Sequence, residues 1–154
     1  MIRKSTIQLL RFHFSIFLMP VYWFALTQLV NINRTNAILI FIILHVLIYP
    51  SSNAYNSYMD RDTSPIGGVK NPLQPTKQLF YVSIIMDLVA VALSFLISNW
   101  FALGSFIYII GSRLYSYRGV RLKQYPVIGY LTVITLQGGL VFWMVYHGAY
   151  VMLK

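Results

Sequence analysis

The chain has 154 residues, of which 58% are hydrophobic and only 10% charged, and its mean hydropathy is +0.66. This balance excludes an ordinary soluble domain and indicates an integral membrane protein. The net charge of +9 does not predict nucleic-acid binding, because the basic residues stand singly at the ends of apolar segments. The absence of cysteine excludes disulfides, thiolate nucleophiles and Cys-ligated metals.

Five apolar segments follow one another along the chain, each near the roughly 20 residues that a membrane-spanning helix needs. Asn, Gly and Pro residues separate the segments, most densely in the loop at 59–77. The first segment lacks the small-residue cleavage site of a signal peptide, so we expect it to be a retained span. The sequence therefore predicts an all-α transmembrane bundle forming a single membrane domain, 1–154. Its expected spans are 12–30, 36–58, 78–98, 100–117 and 127–148.

The basic residues predict how these spans are oriented. With the N-terminus and the loops after the second and fourth spans on one side, ten Lys and Arg residues fall there. Only Arg34 and Lys154 fall on the opposite side. Because positively charged loops face the cytoplasm, we expect the N-terminus and the 59–77 loop in the cytoplasm and the C-terminus outside. The expected location is a bacterial inner membrane.

A polar stripe runs along the second span toward the cytoplasmic loop. Its members step by four, four, three and four residues, which places them on one helix face: His45, Tyr49, Asn53, Asn56 and Asp60. Pro50 removes one backbone bond and is expected to kink the helix just before the two Asn residues. Polar side chains also bond between membrane helices, so packing is the favoured interpretation of His45 and Tyr49. For Asn56 and Asp60 a divalent-cation site is favoured, because charge is costly in lipid.

Residues 56–64 read N-S-Y-M-D-R-D-T-S and resemble the first aspartate-rich motif of the UbiA superfamily of intramembrane prenyltransferases, N-D-x-x-D-x-x-x-D. The first Asn and the middle Asp match, while Ser57 and Ser64 stand at the other two Asp positions. Residues 70–73 are similar to the basic-x-Pro-Leu segment that follows the motif. Residues 112–126 resemble the family's fourth span and its basic loop, so the resemblance extends over almost the whole chain.

The resemblance implies a specific chemistry. In that family Mg²⁺ bridges the diphosphate of a polyprenyl donor, and the allylic cation alkylates an aromatic or other hydrophobic acceptor within the membrane. Oxygen ligands suit Mg²⁺, and cations stabilise the departing diphosphate. The implied metal ligands are Asn56, Asp60 and, as a substitute carboxylate, Asp62. The implied diphosphate contacts are Arg61, Lys70, Arg118 and Lys123.

The sequence contains no second aspartate-rich motif. Its only other acid is Asp87, inside the third span, where we expect an ion pair with Arg113 of the fourth. The chain thus resembles the N-terminal half of such an enzyme and is expected to be inactive without a complementary C-terminal half. Two alternatives remain open. One is a noncatalytic subunit that binds a lipid diphosphate or a partner, and the other is a small scaffold or transport protein whose stripe only packs helices.

Overall fold

The computed structural model describes residues 2–150 and contains five long helical segments. They are α1 (Lys4–Thr27), α2 (Arg34–Asp60), α3 (Lys77–Ser94), α4 (Asn99–Ser116) and α5 (Pro126–Ala149). A short 3-10 turn, Leu122–Gln124, lies between α4 and α5. The predicted all-α class is confirmed. Lys154, which entered the charge count, lies outside the described residues.

Four of the helices are long and apolar enough to cross a membrane, judged by length and composition: α1, α2, α3 and α5. Helix α4 has 18 residues, but Asn99, Arg113 and several serines interrupt its apolar sequence. The candidate spans therefore indicate an integral membrane protein, with four such helices where five spans were predicted.

Helix α1 begins at Lys4, well before the predicted start at residue 12. Arg11 adopts a left-handed backbone (φ 48°) that ends the first α-helical turns, and tighter 3-10 turns follow over Phe12–Leu18. A non-glycine residue in this conformation is uncommon. The continuous apolar sequence begins only after this break, which explains why the pattern indicated the later boundary.

Helix α2 is distorted just before Pro50. Its turns widen to π-helical geometry over Ile42–Ile48. Proline has no N–H and its ring would clash with the carbonyl of Val46, so a widened turn accommodates it. The predicted distortion at Pro50 therefore takes the form of a π segment. Helix α2 contacts each of the other four helices.

Large apolar side chains from α2, α4 and α5 meet in the core, where Ile48, Phe101 and Met144 are fully buried. At one end of the bundle, Asn36 Nδ2 donates to the Gly148 carbonyl over 2.9 Å. This bond ties the start of α2 to the end of α5. The two helices are thereby held side by side along their packed faces.

The predicted ion pair between Asp87 and Arg113 is confirmed. Arg113 Nε donates to Asp87 Oδ2 over 3.1 Å, and Arg113 Nη2 contacts the same oxygen. Ser51 of α2 donates to the other carboxylate oxygen of Asp87. The Arg113 guanidinium lies 4.1 Å from the centroid of the Tyr55 ring. One buried charge pair therefore joins α2, α3 and α4.

Candidate functional site

Asn56 and Asp60 occupy the last two turns of α2. They are four residues apart, so their side chains project from the same helix face. The helix ends at Asp60, because Arg61 adopts a left-handed backbone (φ 55°) and its N–H donates to Ser57 O over 3.0 Å. The Asp60 carboxylate thus lies at the negative end of the helix dipole. A carboxylate is electrostatically unfavourable there unless cations lie close to it.

Two cations from the connection between α4 and α5 contact this carboxylate. Lys123 Nζ contacts Asp60 Oδ2 and donates to Asn56 Oδ1 over 2.7 Å. Arg121 Nη2 donates to Asp60 Oδ1 over 3.3 Å. The side chains of Lys123 and Asp60 are only 16% and 13% exposed, whereas that of Arg121 is 45% exposed. We call Asn56, Asp60, Arg121 and Lys123 the Asp60 cluster.

The backbone of this connection is folded so that the cations reach α2. Arg121 adopts a left-handed conformation (φ 45°), and its N–H donates to Tyr117 O over 2.6 Å. The 3-10 turn Leu122–Gln124 then begins and carries Lys123. Arg121 and Lys123, which have a single residue between them, can therefore approach Asp60 from different directions.

Neighbouring side chains connect the end of α2 to the last residue of α4 and to the segment that follows it. Arg118 donates from Nε and Nη2 to Met59 O over 2.8 and 2.6 Å, which caps a carbonyl of the last turn. Ser116 Oγ donates to Asn56 Oδ1 over 2.8 Å. The structure therefore brings Arg118 beside Asn56 and Asp60, but its guanidinium is engaged with the backbone.

A cavity of about 520 Å³ opens beside the cluster. Asp62 is half-buried and lines it together with Asp60, so both carboxylates of the motif share one cavity. Arg121 and Lys123 line it as well, and Tyr115 and Gln124 complete the wall. The cavity combines two carboxylates with two cations.

A second polar cavity, of about 260 Å³, lies within the bundle among α1, α2, α4 and α5. Asn53 and Asn56 line it opposite Gln137, and Asn53 Nδ2 is buried without a hydrogen-bond partner among the described residues. The apolar part of its wall is formed by Phe14, Tyr108, Val133 and Leu136. Asn56 thus belongs both to this cavity and to the Asp60 cluster.

The remaining members of the predicted stripe, His45 and Tyr49, line neither cavity. His45 is buried and stacks on Phe41 with 4.4 Å between ring centroids. It meets Tyr49 edge-on at 5.0 Å, and Tyr49 lies 5.8 Å from the Tyr108 ring. These aromatic contacts agree with the packing interpretation favoured for the two residues.

Two of the predicted diphosphate contacts lie apart from the cluster. Arg61 is exposed and does not line the cavity beside Asp60. Lys70 lines a different cavity, together with Arg11 and His13. Of the predicted contacts, Lys123 is therefore the one that meets Asn56 and Asp60 directly, while Arg118 binds the carbonyl of the adjacent Met59 and does not line the cavity.

The donor atoms of the cluster match the ligands that Mg²⁺ prefers. Asp60 and Asp62 offer carboxylate oxygens, and Asn56 Oδ1 would bind a metal in exchange for one of its hydrogen bonds from Lys123 and Ser116. Phosphate-binding magnesium sites use one or two carboxylates and leave the other positions to water and phosphate. Within residues 2–150, no group of three or more His, Asp or Glu side chains could hold a metal by itself. The cluster therefore fits a metal that binds together with a phosphate ligand, not a closed all-protein site.

Arg121, Ser116 and Gln137 belong to these cavities and contacts but were not predicted from the sequence. Two of them had a signal in the sequence. Arg121 is one of three cations within six positions, and Gln137 is a polar amide inside an apolar segment, where a polar side chain indicates a functional site.

No family model matches the chain, and neither a curated protein nor a solved structure is significantly similar to it. Function is therefore inferred from the side chains and their contacts.

Proposed function

We propose that the chain binds the diphosphate of a prenyl donor for a membrane prenyltransfer reaction of the UbiA type. The acceptor is an aromatic or other lipid-soluble molecule. The observation that carries the proposal is the Asp60 cluster, in which carboxylate and amide oxygens of α2 converge with Lys123 and Arg121 at an open cavity. A diphosphate with bound Mg²⁺ needs oxygen ligands for the metal and cations for the phosphate oxygens.

The cations of the cluster retain donors for such a ligand. An ammonium group has three N–H donors, and Lys123 uses two of them on Asn56 and Asp60. Arg121 makes one hydrogen bond to Asp60 and its side chain is 45% exposed, although a guanidinium carries five donors. Both residues can therefore donate hydrogen bonds to phosphate oxygens while they remain beside the carboxylate.

Asp60, Asp62 and Asn56 are the residues that would hold Mg²⁺. When bound, the metal supplies positive charge that stabilises the leaving diphosphate. The protein's own contribution is to position Lys123 and Arg121 against the same oxygens and to keep the donor at the membrane boundary. The neighbouring cavity of about 260 Å³ offers apolar side chains to the first part of an isoprenoid tail and limits access of water.

Catalytic turnover requires carboxylates that these 154 residues do not contain. Asp60 and Asp62 share one cavity, and Asp87 is engaged with Arg113 and Ser51. We propose that a complementary C-terminal half supplies a second acidic motif, and that the chain alone binds the donor without transferring the prenyl group. The same observation favours one alternative function, a noncatalytic subunit that binds a lipid diphosphate.

The proposed arrangement in the membrane has five spans, with α4 included and held by its buried partners. The N-terminus and the 59–77 loop face the cytoplasm of a bacterial cell. This places the Asp60 cluster at the cytoplasmic face, where soluble Mg²⁺ and a diphosphate headgroup are accessible. The positive-inside distribution of Lys and Arg supports this orientation.

The binding test uses the purified full chain in detergent and farnesyl diphosphate as the probe. We expect binding that depends on Mg²⁺, and a decrease in affinity of at least about tenfold in Asp60→Asn, because a charged metal ligand is lost. The matched control is Lys4→Gln, an exposed cation change outside the cluster. Farnesyl diphosphate binding that does not depend on Mg²⁺ would contradict the proposal. An Asp60→Asn chain that binds farnesyl diphosphate as tightly as the wild type would also contradict it.

A second test separates the enzyme from the noncatalytic subunit. The chain is mixed with a C-terminal half that carries an aspartate-rich motif, and prenyl transfer is measured with Mg²⁺ present. Restored transfer that is lost again in Asp60→Asn supports the split enzyme. Donor binding without transfer in the mixture supports the binding subunit, whereas robust transfer by the chain alone would overturn the half-site proposal.

A further inference from the structure

A separate basic cavity, of about 560 Å³, lies between the start of α1 and the loop that follows α2. Arg11, His13 and Lys70 line it. Among the described residues, its lining contains no Asp, and it shares no residue with the cavity beside Asp60. The Asp60 cluster balances its cations with carboxylates, whereas this cavity presents basic groups alone.

The loop is folded tightly onto two of these basic side chains. Gly67 and Gly68 have positive φ values of 45° and 82°. A Cβ at Gly67 would lie 2.2 Å from Arg11 Nη1, and one at Gly68 would lie 2.7 Å from His13 Nε2. His13 Nε2 also lies 3.1 Å from Gly67 O, within hydrogen-bond distance. The glycine pair therefore allows the loop backbone to close over Arg11 and His13.

Gln8 holds the other side of the loop. Its Nε2 donates to Asn71 O over 3.1 Å, and its Oε1 accepts from the Leu73 N–H over 2.8 Å. Lys70 lies between these fixed points and is exposed. The cavity is thus bounded by loop backbone that is held on both sides, which gives it a defined shape.

Arg11 has hydrogen-bonding capacity that the described residues do not use. The residue is only 6% exposed, and its Nε is buried without a partner. Its Nη2 makes one long hydrogen bond to Asn53 O, 3.3 Å. Neither Asp60 nor Asp62 lines this cavity. A buried guanidinium with a free donor is costly, and an anion in the cavity would offset that cost.

Part of the exposed lining of the cavity is apolar. Ile7 and Phe12 line it and are 57% and 42% exposed, and Ile16 and Phe17 lie exposed on the following turns of α1. In a membrane protein such side chains face lipid. Basic side chains beside exposed apolar ones suit a phosphate group attached to an apolar chain, as well as phosphate itself.

We infer that Arg11, His13 and Lys70 form a second phosphate-binding site, distinct from the Asp60 cluster. The recognised chemistry is a phosphate oxyanion, whose source is either an anionic phospholipid headgroup or free phosphate. Arg11 and Lys70 supply charge, and His13 supplies a ring nitrogen beside the Gly67 carbonyl. The site binds without Mg²⁺, since it contains no carboxylate to hold the metal. This goes beyond the proposed donor binding. The two proposals share one side chain, because Arg11 also lines the cavity of about 260 Å³ beside Asn53 and Asn56.

The test measures binding to the purified full chain with two probes, inorganic phosphate and short-chain phosphatidylglycerol, against a background of phosphatidylcholine-like detergent. Lys70→Gln is the main variant, because Lys70 is exposed and its change spares the packed Arg11. We expect it to weaken binding about fivefold, the effect of one cation near a membrane surface. Arg11→Gln should weaken binding further if the protein stays folded. Lys4→Gln is the matched control with the same loss of charge.

Each outcome decides one point. If Lys70→Gln weakens the binding of phosphatidylglycerol alone, and Lys4→Gln does not, the site binds a lipid headgroup. If Lys70→Gln weakens the binding of inorganic phosphate alone, the site binds free phosphate. Equal effects of Lys70→Gln and Lys4→Gln, or no binding of either probe, would overturn the proposal. Asp60→Asn should retain phosphate binding while losing Mg²⁺-dependent farnesyl diphosphate binding. Failure of the donor proposal would therefore not be mistaken for failure of this site.

Discussion

The Asp87–Arg113 pair and the Asp60 cluster are both contacts between carboxylates and cations, but they are built differently. Asp87 is buried in the bundle, and both of its oxygens are satisfied by Arg113 and Ser51. Asp60 lies at a helix end beside an open cavity, and one of its cations is 45% exposed. The first arrangement fastens three helices. The second leaves donors free at a site that a ligand can reach.

The helix dipole sharpens the contrast. A carboxylate at a helix C-terminus is unfavourable by about 0.3–1 kcal/mol, so Asp60 is a poor choice for stabilising α2 itself. Arg113, by contrast, makes contacts that only its planar group can make, with Asp87 on one edge and the Tyr55 ring on its face. The comparison therefore predicts that stability depends on the interior pair and ligand binding on the helix end.

The largest difference between the Asp60 cluster and the Asp87–Arg113 pair should be in solvent accessibility. The chain has no cysteine, so single cysteines report cleanly. Gln124→Cys, exposed beside the Asp60 cavity, should react with a membrane-impermeant maleimide from the cytoplasmic side, whereas Ala90→Cys, fully buried one turn from Asp87, should not react. Val30→Cys, exposed between α1 and α2, should react only from the outside. Labelling of Val30→Cys and Gln124→Cys from one side would overturn the proposed topology.

Removal of the interior carboxylate should cause the largest loss of stability. Asp87→Ala leaves the Arg113 guanidinium buried without its partner, which costs about 3–5 kcal/mol in the free energy of unfolding. Denaturation of the purified chain in mixed micelles measures this cost. Asp62→Ala is the control, since Asp62 is half-buried and lines an open cavity.

A double variant shows whether Asp87→Ala is unstable because the Arg113 charge is unpaired or because side-chain volume is lost. If the penalty comes from the uncompensated charge, the combination of Asp87→Leu with Arg113→Met should recover much of the stability lost in Asp87→Ala. A double variant as unstable as Asp87→Ala would show that the pair contributes more than charge neutralisation. A stable Asp87→Ala chain would show that the ion pair does not fasten the bundle.

Replacing arginine by lysine should lower the free energy of unfolding more at the interior pair than at the Asp60 cluster. This difference should be smaller than the loss caused by Asp87→Ala. Arg113→Lys keeps the charge but loses the fork that contacts both Asp87 and Ser51, with an expected cost of about 1–3 kcal/mol. Arg121→Lys should change stability by less than about 0.5 kcal/mol, because Arg121 makes one long, partly exposed contact. Comparable losses in the two variants, measured in the same micelles, would refute the distinction.

A small change in stability is also expected for Asp60→Asn. Loss of the contacts to Lys123 and Arg121 is offset by relief of the unfavourable dipole interaction, so the net change should stay within about 1 kcal/mol. The same variant should lose Mg²⁺-dependent donor binding. A loss of stability as large as that of Asp87→Ala would show that the Asp60 cluster is a structural fastening, and it would weaken the functional proposal.

Much of the architecture was predictable because it depends on local sequence. Long apolar segments must satisfy their backbone groups internally, so they form helices. The four-residue spacing places Asn56 and Asp60 on one face of α2, and a charge deep in an apolar helix requires a partner, which identified Asp87 and Arg113. The helix boundaries were less accurate, because the break at Arg11 depends on its left-handed backbone and not on hydropathy.

The sequence by itself determined the class of the protein, its helices and the polar face that ends at Asp60. Only the tertiary structure decided which cations meet that face. Lys70 lies closer to Asp60 in sequence than Lys123 does, yet the Gly67–Gly68 turn directs it to another cavity, whereas the left-handed Arg121 brings Lys123 to Asp60. The physical reason is that a side chain's partner depends on how distant loops fold over a helix end. Contacts between segments about sixty residues apart follow from packing, not from local spacing.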